Sequence, residues 1–391
     1  MRAALRPLRR VAQKRTYLAT RGPGFLGCLG GGDWNDRDAL VPVEDDNDNK
    51  VNVTSVAAGW AHSAAVLEDG VAVVWGRYLE PPESALRLSH IHRAGAFGRG
   101  LTRVVNATAL WMDRDGSLRL RPTPVTDHAS MIACGAGVTA IVKTNGDLEC
   151  FGANAFGQCG VGDHSDVVRE PSAVKWDTAQ KAVKSIALGF RHGICLSADG
   201  LVHAWGKNDA GQLGDGLRNS RPSVMKVMEE ECSGIGAGLN HSACLTKDGR
   251  LFVWGKMRDA SSSKPSEVSR DLPDLYGDAL VPRPVPGRKY VDVACSSFHC
   301  VVLDEQGAVF CMGLERGSRE MVHAPRPVRL PSGVKAVAIK GGVDAVAILA
   351  SDNLVYAPDL APGLACGSVV RETAAVVDVA LGWKHAVAVA A

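Results

Sequence analysis

Aromatic side chains are scarce in this chain, at 5% of its 391 residues. No apolar run approaches the ~18 residues that a bilayer-spanning helix needs, so no membrane span is expected. The eleven cysteines include no C-x-x-C pair, which removes the spacing expected of a redox dithiol or of a structural zinc site. No Asp or Glu precedes Asp33, and the N-terminal region also lacks the apolar run of a secretory signal. What that region holds is Arg2, Arg6, Arg9, Arg10, Lys14, Arg15 and Arg21. An Arg-rich, acid-free, weakly amphipathic start is the composition of a mitochondrial transit peptide, expected here over residues 1–23. Arg15-Thr16-Tyr17 resembles a processing site and places the cut after Tyr17; the alternative is a disordered basic tail.

Setting those seven residues aside leaves 37 basic against 42 acidic residues, a net of −5. A mildly acidic body argues against broad nucleic-acid binding, which needs clustered Lys and Arg to displace phosphate counterions. The expected location is the mitochondrion, with the nucleus or cytoplasm as alternatives. Cys195 and Cys244 each fall three residues after a recurring His, where Ala65 sits in another copy. A slot that takes Ala or Cys is small and apolar, so these thiols read as free core residues of a reducing compartment.

Glycine, by contrast, is plentiful: 43 residues, about 11% against roughly 7% in average proteins. It recurs in a fixed phrase. Gly189-Phe190-Arg191-His192 is followed by Asp199-Gly200 and Trp205-Gly206. The same order appears at Gly59–His62, Asp69-Gly70 and Trp75-Gly76, and again at Gly238–His241, Asp248-Gly249 and Trp254-Gly255. A period near 50 residues marks a solenoid or propeller, in which no unit buries its apolar face alone. Short apolar runs joined by Asp-Gly read as β-hairpins, so each unit is a small antiparallel sheet of about four strands.

Seven copies of the first half are anchored at Gly59, Gly135, Gly189, Gly238, Cys295, Gly341 and Gly382. The longest interval holds a weak hairpin at 110–120, either an eroded eighth unit or part of an insertion. The last copy stops after Gly382-Trp383-Lys384-His385 and one apolar run, while Gly24–Gly30 supplies the missing half at the other end. A ring that pairs first strands with last would repair the split unit and remove exposed sheet edges. The expected fold is all-β: a seven-bladed propeller of four-stranded antiparallel blades over residues 24–391, closed by N- and C-terminal strands in one blade. Insertions are expected at 77–128 and 256–288.

Two copies continue past Trp-Gly or its equivalent as Gly152–Gly162 and Gly206–Gly216, a G-x-N-x-x-G-Q-[LC]-G-x-G phrase. Joined to G-x-x-H and W-G, this resembles the repeat of the RCC1 family, the regulator of chromosome condensation. The resemblance covers about residues 24–391 and weakens at 95–128 and 334–360. It implies a seven-bladed propeller whose termini share a blade. It also implies a role as a protein-binding scaffold or assembly factor, with organellar members linked to ribosome and RNA-processing assemblies. Guanine-nucleotide exchange on a small GTPase is the alternative, although no wedge-like exchange element is recognisable.

The recurring histidines His62, His192, His241, His299 and His385 are expected to make a structural hydrogen bond once per blade, to main-chain groups at the inner turn. A shared metal would need them to converge. His90-Ile91-His92 is a minimal metal pair without a third ligand nearby, and Gly95–Gly100 lacks the G-K-[ST] ending of a phosphate loop. Long polar loops on a rigid scaffold are where binding residues gather. The candidates for contacting a partner are therefore His90, His92, Arg93 and Arg99 in the first insertion and Lys256, Arg258, Asp271 and Asp274 in the second. No catalytic residue, metal ligand or cofactor site stands out, and a non-enzymatic monomer is expected.

Overall fold

Each Asp-Gly dipeptide of the repeat turns a hairpin, with Gly200 at φ 85° in the left-handed region that a side chain disfavours. In the sixth unit Asn353 takes that place at φ 64°. The computed structural model describes residues 16–22, 28–31, 35, 37–44, 50–77, 118–177, 179, 181–257, 279–314, 321–343, 345–357, 368–370, 376–382 and 385–390. Among these residues the chain forms seven four-stranded sheets, all with antiparallel neighbours, and no helix long and apolar enough to cross a membrane.

Blades 1 to 6 run in chain order over residues 53–126, 129–173, 183–226, 232–285, 292–328 and 336–370. The seventh takes its two inner strands, Val376–Leu381 and Ala386–Ala390, from one end of the chain and its outer two, Tyr17–Gly22 and Arg37–Pro42, from the other. Tyr17 pairs with Ala390 and Arg21 with Ala386, so the expected ring is closed.

The closing strand lies earlier than expected. Gly22, one residue past Arg21, falls opposite His385 as Gly76 falls opposite His62. Tyr17–Gly22 is therefore the third strand of the split blade, and the propeller extends into the segment 1–23. Counting on from Gly22, Gly27-Cys28-Leu29-Gly30 aligns with Gly157-Gln158-Cys159-Gly160, a third copy of the long phrase without its Trp and Asn. Both insertions are also shorter than expected. Leu118–Thr126 is the fourth strand of blade 1, which removes the eighth-unit reading, and Arg283–Val285 is the fourth strand of blade 4. The anchors of units five and six move by one residue: Ser296 N–H donates to His299 O, and Gly342 N–H to Ala345 O, at 2.9 Å each.

Three sets of ties join neighbouring blades. On the inner rim each turn glycine abuts the next blade's carbonyl. A Cβ on Gly135 would lie 2.6 Å from Gly189 O, and one on Gly382 would lie 2.7 Å from Gly59 O, across the closure. Between the sheets, Trp75, Trp205 and Trp254 are fully buried and donate Nε1–H to the main-chain carbonyls of Cys28, Gln158 and Gln212 at 2.8–2.9 Å. An indole suits this place because it combines a large apolar body with one donor. At the opposite rim the hairpin glycine carbonyl accepts the first N–H of the next blade, as Gly70 O does from Ala129 and Gly200 O from Cys232.

Candidate functional site

A four-stranded up-and-down blade sends its first and third connections to one face and its second to the other. All the G-x-x-H turns therefore share a face with every link between third and fourth strands. The two long insertions are inserted in that link in blades 1 and 4, after Arg77 and Met257, so the described residues that flank them lie at the histidine face.

Lys256 ends the third strand of blade 4, half-buried and paired with Asn240, at the root of the second insertion. His90, His92, Arg93, Arg99, Arg258, Asp271 and Asp274 lie outside the described residues, as do Gly95–Gly100.

At the centre of this face opens a cavity of about 80 Å³, whose rim includes Trp60, Ala136, Phe190, Leu239, Ser297 and Val343. Five of these six directly follow the turn glycine, or Ser296 in blade 5, and Val343 follows Gly342 in the same way. Phe190 stacks beside the Arg191 guanidinium at 5.2 Å, and that group also lies 5.0 Å from the Phe156 ring. Lys207 Nζ sits 5.1 Å from Phe156 and 2.8 Å from Asp209. The Phe190 ring, with the Arg191 guanidinium beside it, thus lines one side of the mouth. Sequence reasoning missed this group because it occupies the variable positions of the phrase. The wider opposite end, about 320 Å³, carries Asp292, Lys340 and Asp378, with Lys340 Nζ 2.9 Å from Asp378. Burial raises the Asp292 carboxyl.

The recurring histidines do not converge. His62 Nε2 reaches Thr139 Oγ1 at 3.1 Å, His192 reaches Ser242 Oγ at 2.9 Å and His385 reaches Ser63 Oγ at 2.8 Å, in each case across a blade boundary. Ser63 and Ser242 donate onward to Cys28 O and Gln212 O, so the imidazoles must donate to the hydroxyls. These hydroxyl partners add a side-chain bond to the expected main-chain one, and His299 reaches the main-chain Leu314 O at 2.6 Å. Among the described residues no three metal-ligating side chains gather.

Burial holds these rings neutral: it lowers His62 and His192 to about 3, and His241 and His385 to about 4. A histidine whose folded pKa lies below its unfolded ~6.5 takes up its proton more readily when unfolded. Stability is then complete above about pH 6.5 and is lost as pH falls towards the folded values. We expect thermal melting to be flat from pH 7 upward and to fall steeply from pH 6.5 to 4. The slope is up to about 1.4 kcal/mol per pH unit for each histidine. A melting temperature unchanged across that window would contradict the assignment.

Two profiles of the regulator of chromosome condensation (RCC1) repeat match the chain, one over residues 199–245 and the other over 53–77, 183–212, 232–259 and 290–316. The chain carries RCC1 repeats. It is 32% identical to the ultraviolet-B receptor UVR8 of Arabidopsis thaliana over 51% of this chain and 39% of that protein. It is 28% identical to the RCC1 domain-containing protein RUG3, mitochondrial, of the same plant, over 54% of this chain and 43% of RUG3. The chain thus spans less than half the length of these two relatives. Human WBSCR16 superposes with a TM-score of 0.69 at 18% identity, over 96% of this chain and 99% of that one, a likeness of fold. The RCC1 signature explains why the matched segments lie where the His and the hairpin glycine are intact, with Trp75, Trp205 and Trp254 in three of them and Met312 in the Trp place of 290–316.

Proposed function

We propose that this RCC1-repeat propeller is a non-catalytic protein-binding scaffold or assembly factor of the mitochondrion. The observation that carries the reading is that both insertions are rooted, at Arg77 and Met257, on the face that bears the central mouth. A rigid ring that roots its longest variable segments on one face is suited to present them to a partner. Support for the compartment comes from the acid-free, Arg-rich start and from the likeness to mitochondrial RUG3. The partner is a protein, and an organellar ribosome or RNA-processing assembly fits the reading. The partner-binding residues are His90, His92, Arg93, Arg99, Lys256, Arg258, Asp271 and Asp274.

Proximity labelling with the native N-terminus intact reports compartment and partner together. Labelling of nuclear proteins alone would overturn the location. Once a partner is in hand, replacing residues 258–278 or 78–117 with a short Gly-Ser linker is expected to leave the melting temperature nearly unchanged. Partner affinity should fall at least tenfold for one of the two, and full affinity in both variants would move the binding surface elsewhere. Faster release of labelled guanine nucleotide from a small GTPase on adding the protein would favour the exchange-factor alternative.

A further inference from the structure

In every blade the residue before the turn faces, across the first hairpin, the residue after the histidine position. The pairs include Ala58 with Ser63, Cys134 with Thr139 and Ala237 with Ser242. Blade 5 alone has a thiol on both sides, Cys295 facing Cys300. The neighbouring pair, Ser296 and His299, is hydrogen-bonded at 2.9 Å. Antiparallel pairs alternate, so Cys295 and Cys300 form a non-hydrogen-bonded pair, whose Cα atoms lie about 4.5 Å apart. That spacing falls within the ~4.4–6.8 Å that a disulfide bridges without backbone movement. Both side chains enter the same apolar cluster between blades 4 and 5. The neighbouring Cys295 thiol together with burial holds the Cys300 thiol well above its usual pKa.

Two neighbours leave the pair free to react. Cys300 stands where Ser63, Thr139 and Ser242 hold the histidine of the preceding blade. With sulfur in that place, neither ring nitrogen of His241 has a partner, so Cys300 is not committed across the boundary. Facing Cys295 is Gly236, where a Cβ would lie 2.9 Å from Sγ, so its absence gives the sulfur room. Cys295 is 5% exposed and borders the cavities at both ends of the axial channel, which gives a small oxidant a route to it.

We propose that Cys295 and Cys300 form a redox modification site that a peroxide converts to an intrachain disulfide. The Cys295 sulfur attacks the peroxide, breaks its O–O bond and becomes a sulfenic acid, and hydrogen peroxide releases one water. The Cys300 sulfur then attacks that sulfur, the S–O bond breaks, and a second water leaves with the Cys300 proton. The two thiols lose two electrons, and the peroxide gains them.

The test uses the full chain, reduced, treated with hydrogen peroxide, then denatured and alkylated. The alkylatable thiols should fall from eleven to nine and return with dithiothreitol. Fragmentation of peptide 290–316 should place the link, two hydrogens lighter, between Cys295 and Cys300 rather than at Cys311. Cys300→Ser restores a hydroxyl beside His241, and it should remove the link while Cys295 advances to sulfinic acid. Eleven thiols surviving the treatment, a link between other cysteines, or sulfinic acid at Cys295 of the unaltered chain without a link would each overturn the assignment.

Discussion

Replacing Trp205 with Ala is expected to lower the unfolding free energy by about 3–5 kcal/mol, the range measured for emptying a buried aromatic site. Trp205 is fully buried in the cluster between blades 2 and 3, among Val138, Cys150, Cys159 and Val224. Its pocket is built for an indole. A Cβ on Gly160 would lie 3.0 Å from its Cδ1, and one on Gly193 would overlap its Cζ2. The surrounding strands belong to two sheets with their own ladders, so they cannot collapse into the space. Truncation also leaves Gln158 O without its 2.9 Å donor. Trp205→Phe separates the two effects: it keeps most of the volume and loses the bond, which should cost about 1–3 kcal/mol. Urea unfolding followed by circular dichroism measures both. A Trp205→Ala loss below about 1 kcal/mol would show that the blades are not held together at this position.

A chain starting at Gly24 is expected to lose its cooperative unfolding transition, whereas one starting at Thr16 keeps it. The first lacks Tyr17–Gly22, which pairs with Ala386–Ala390 along its whole length. It also loses the buried Leu18, whose backbone bonds to Val51 and Val43 tie the closure to blade 1. What remains of blade 7 exposes the edge of Ala386–Ala390, and an unpaired edge in an alanine- and valine-rich strand is an aggregation template. The expected readout is soluble oligomer or precipitate on size-exclusion chromatography and a broad, shallow melt. A monomeric, sharply melting chain from residue 24 would mean that the ring does not need this clasp. Removing residues 1–17, the processing expected from Arg15-Thr16-Tyr17, deletes one strand residue and should be tolerated with a modest loss.

The repeat made most of the fold legible, because its glycines answer to geometry that only a propeller imposes. Asp-Gly turns, the carbonyl-abutting rim and the indole slots all left residues in the sequence at fixed spacing. The fourth strands left none. They pair on one side only and face solvent on the other, so Leu118–Thr126 accommodates Pro122 and Pro124, and Arg221–Lys226 accommodates Pro222. Without a glycine frame or an apolar alternation, Leu118–Thr126 reads in sequence as part of an insertion. The closing strand is hidden in the sequence for a related reason. Arg21 stands where Trp75 stands in blade 1, opposite the residue after the histidine, so the W-G landmark is absent. In units five and six, Ser296 and Ala345 occupy a glycine and a histidine position, which let the register slip by one.

The candidate face was half legible. A break in the period revealed that the two excursions exist, and strand direction then showed that they emerge on the same side. Trp60, Phe190 and Val343 gave no signal, because the residue after each turn glycine is free to vary. The histidines signalled a repeated bond but not its partner, since Ser63, Thr139 and Ser242 sit in apolar strands that read as core.

The pairing of Tyr17 with Ala390 carries a practical corollary. Strand direction brings both of these residues to the rim that bears the Asp-Gly turns, away from Trp60 and from the roots at Arg77 and Lys256. A tether joined directly at Tyr17 or Ala390 therefore starts from the back of the ring. The opposite surface, with the roots of both excursions and the central mouth, is left pointing outward.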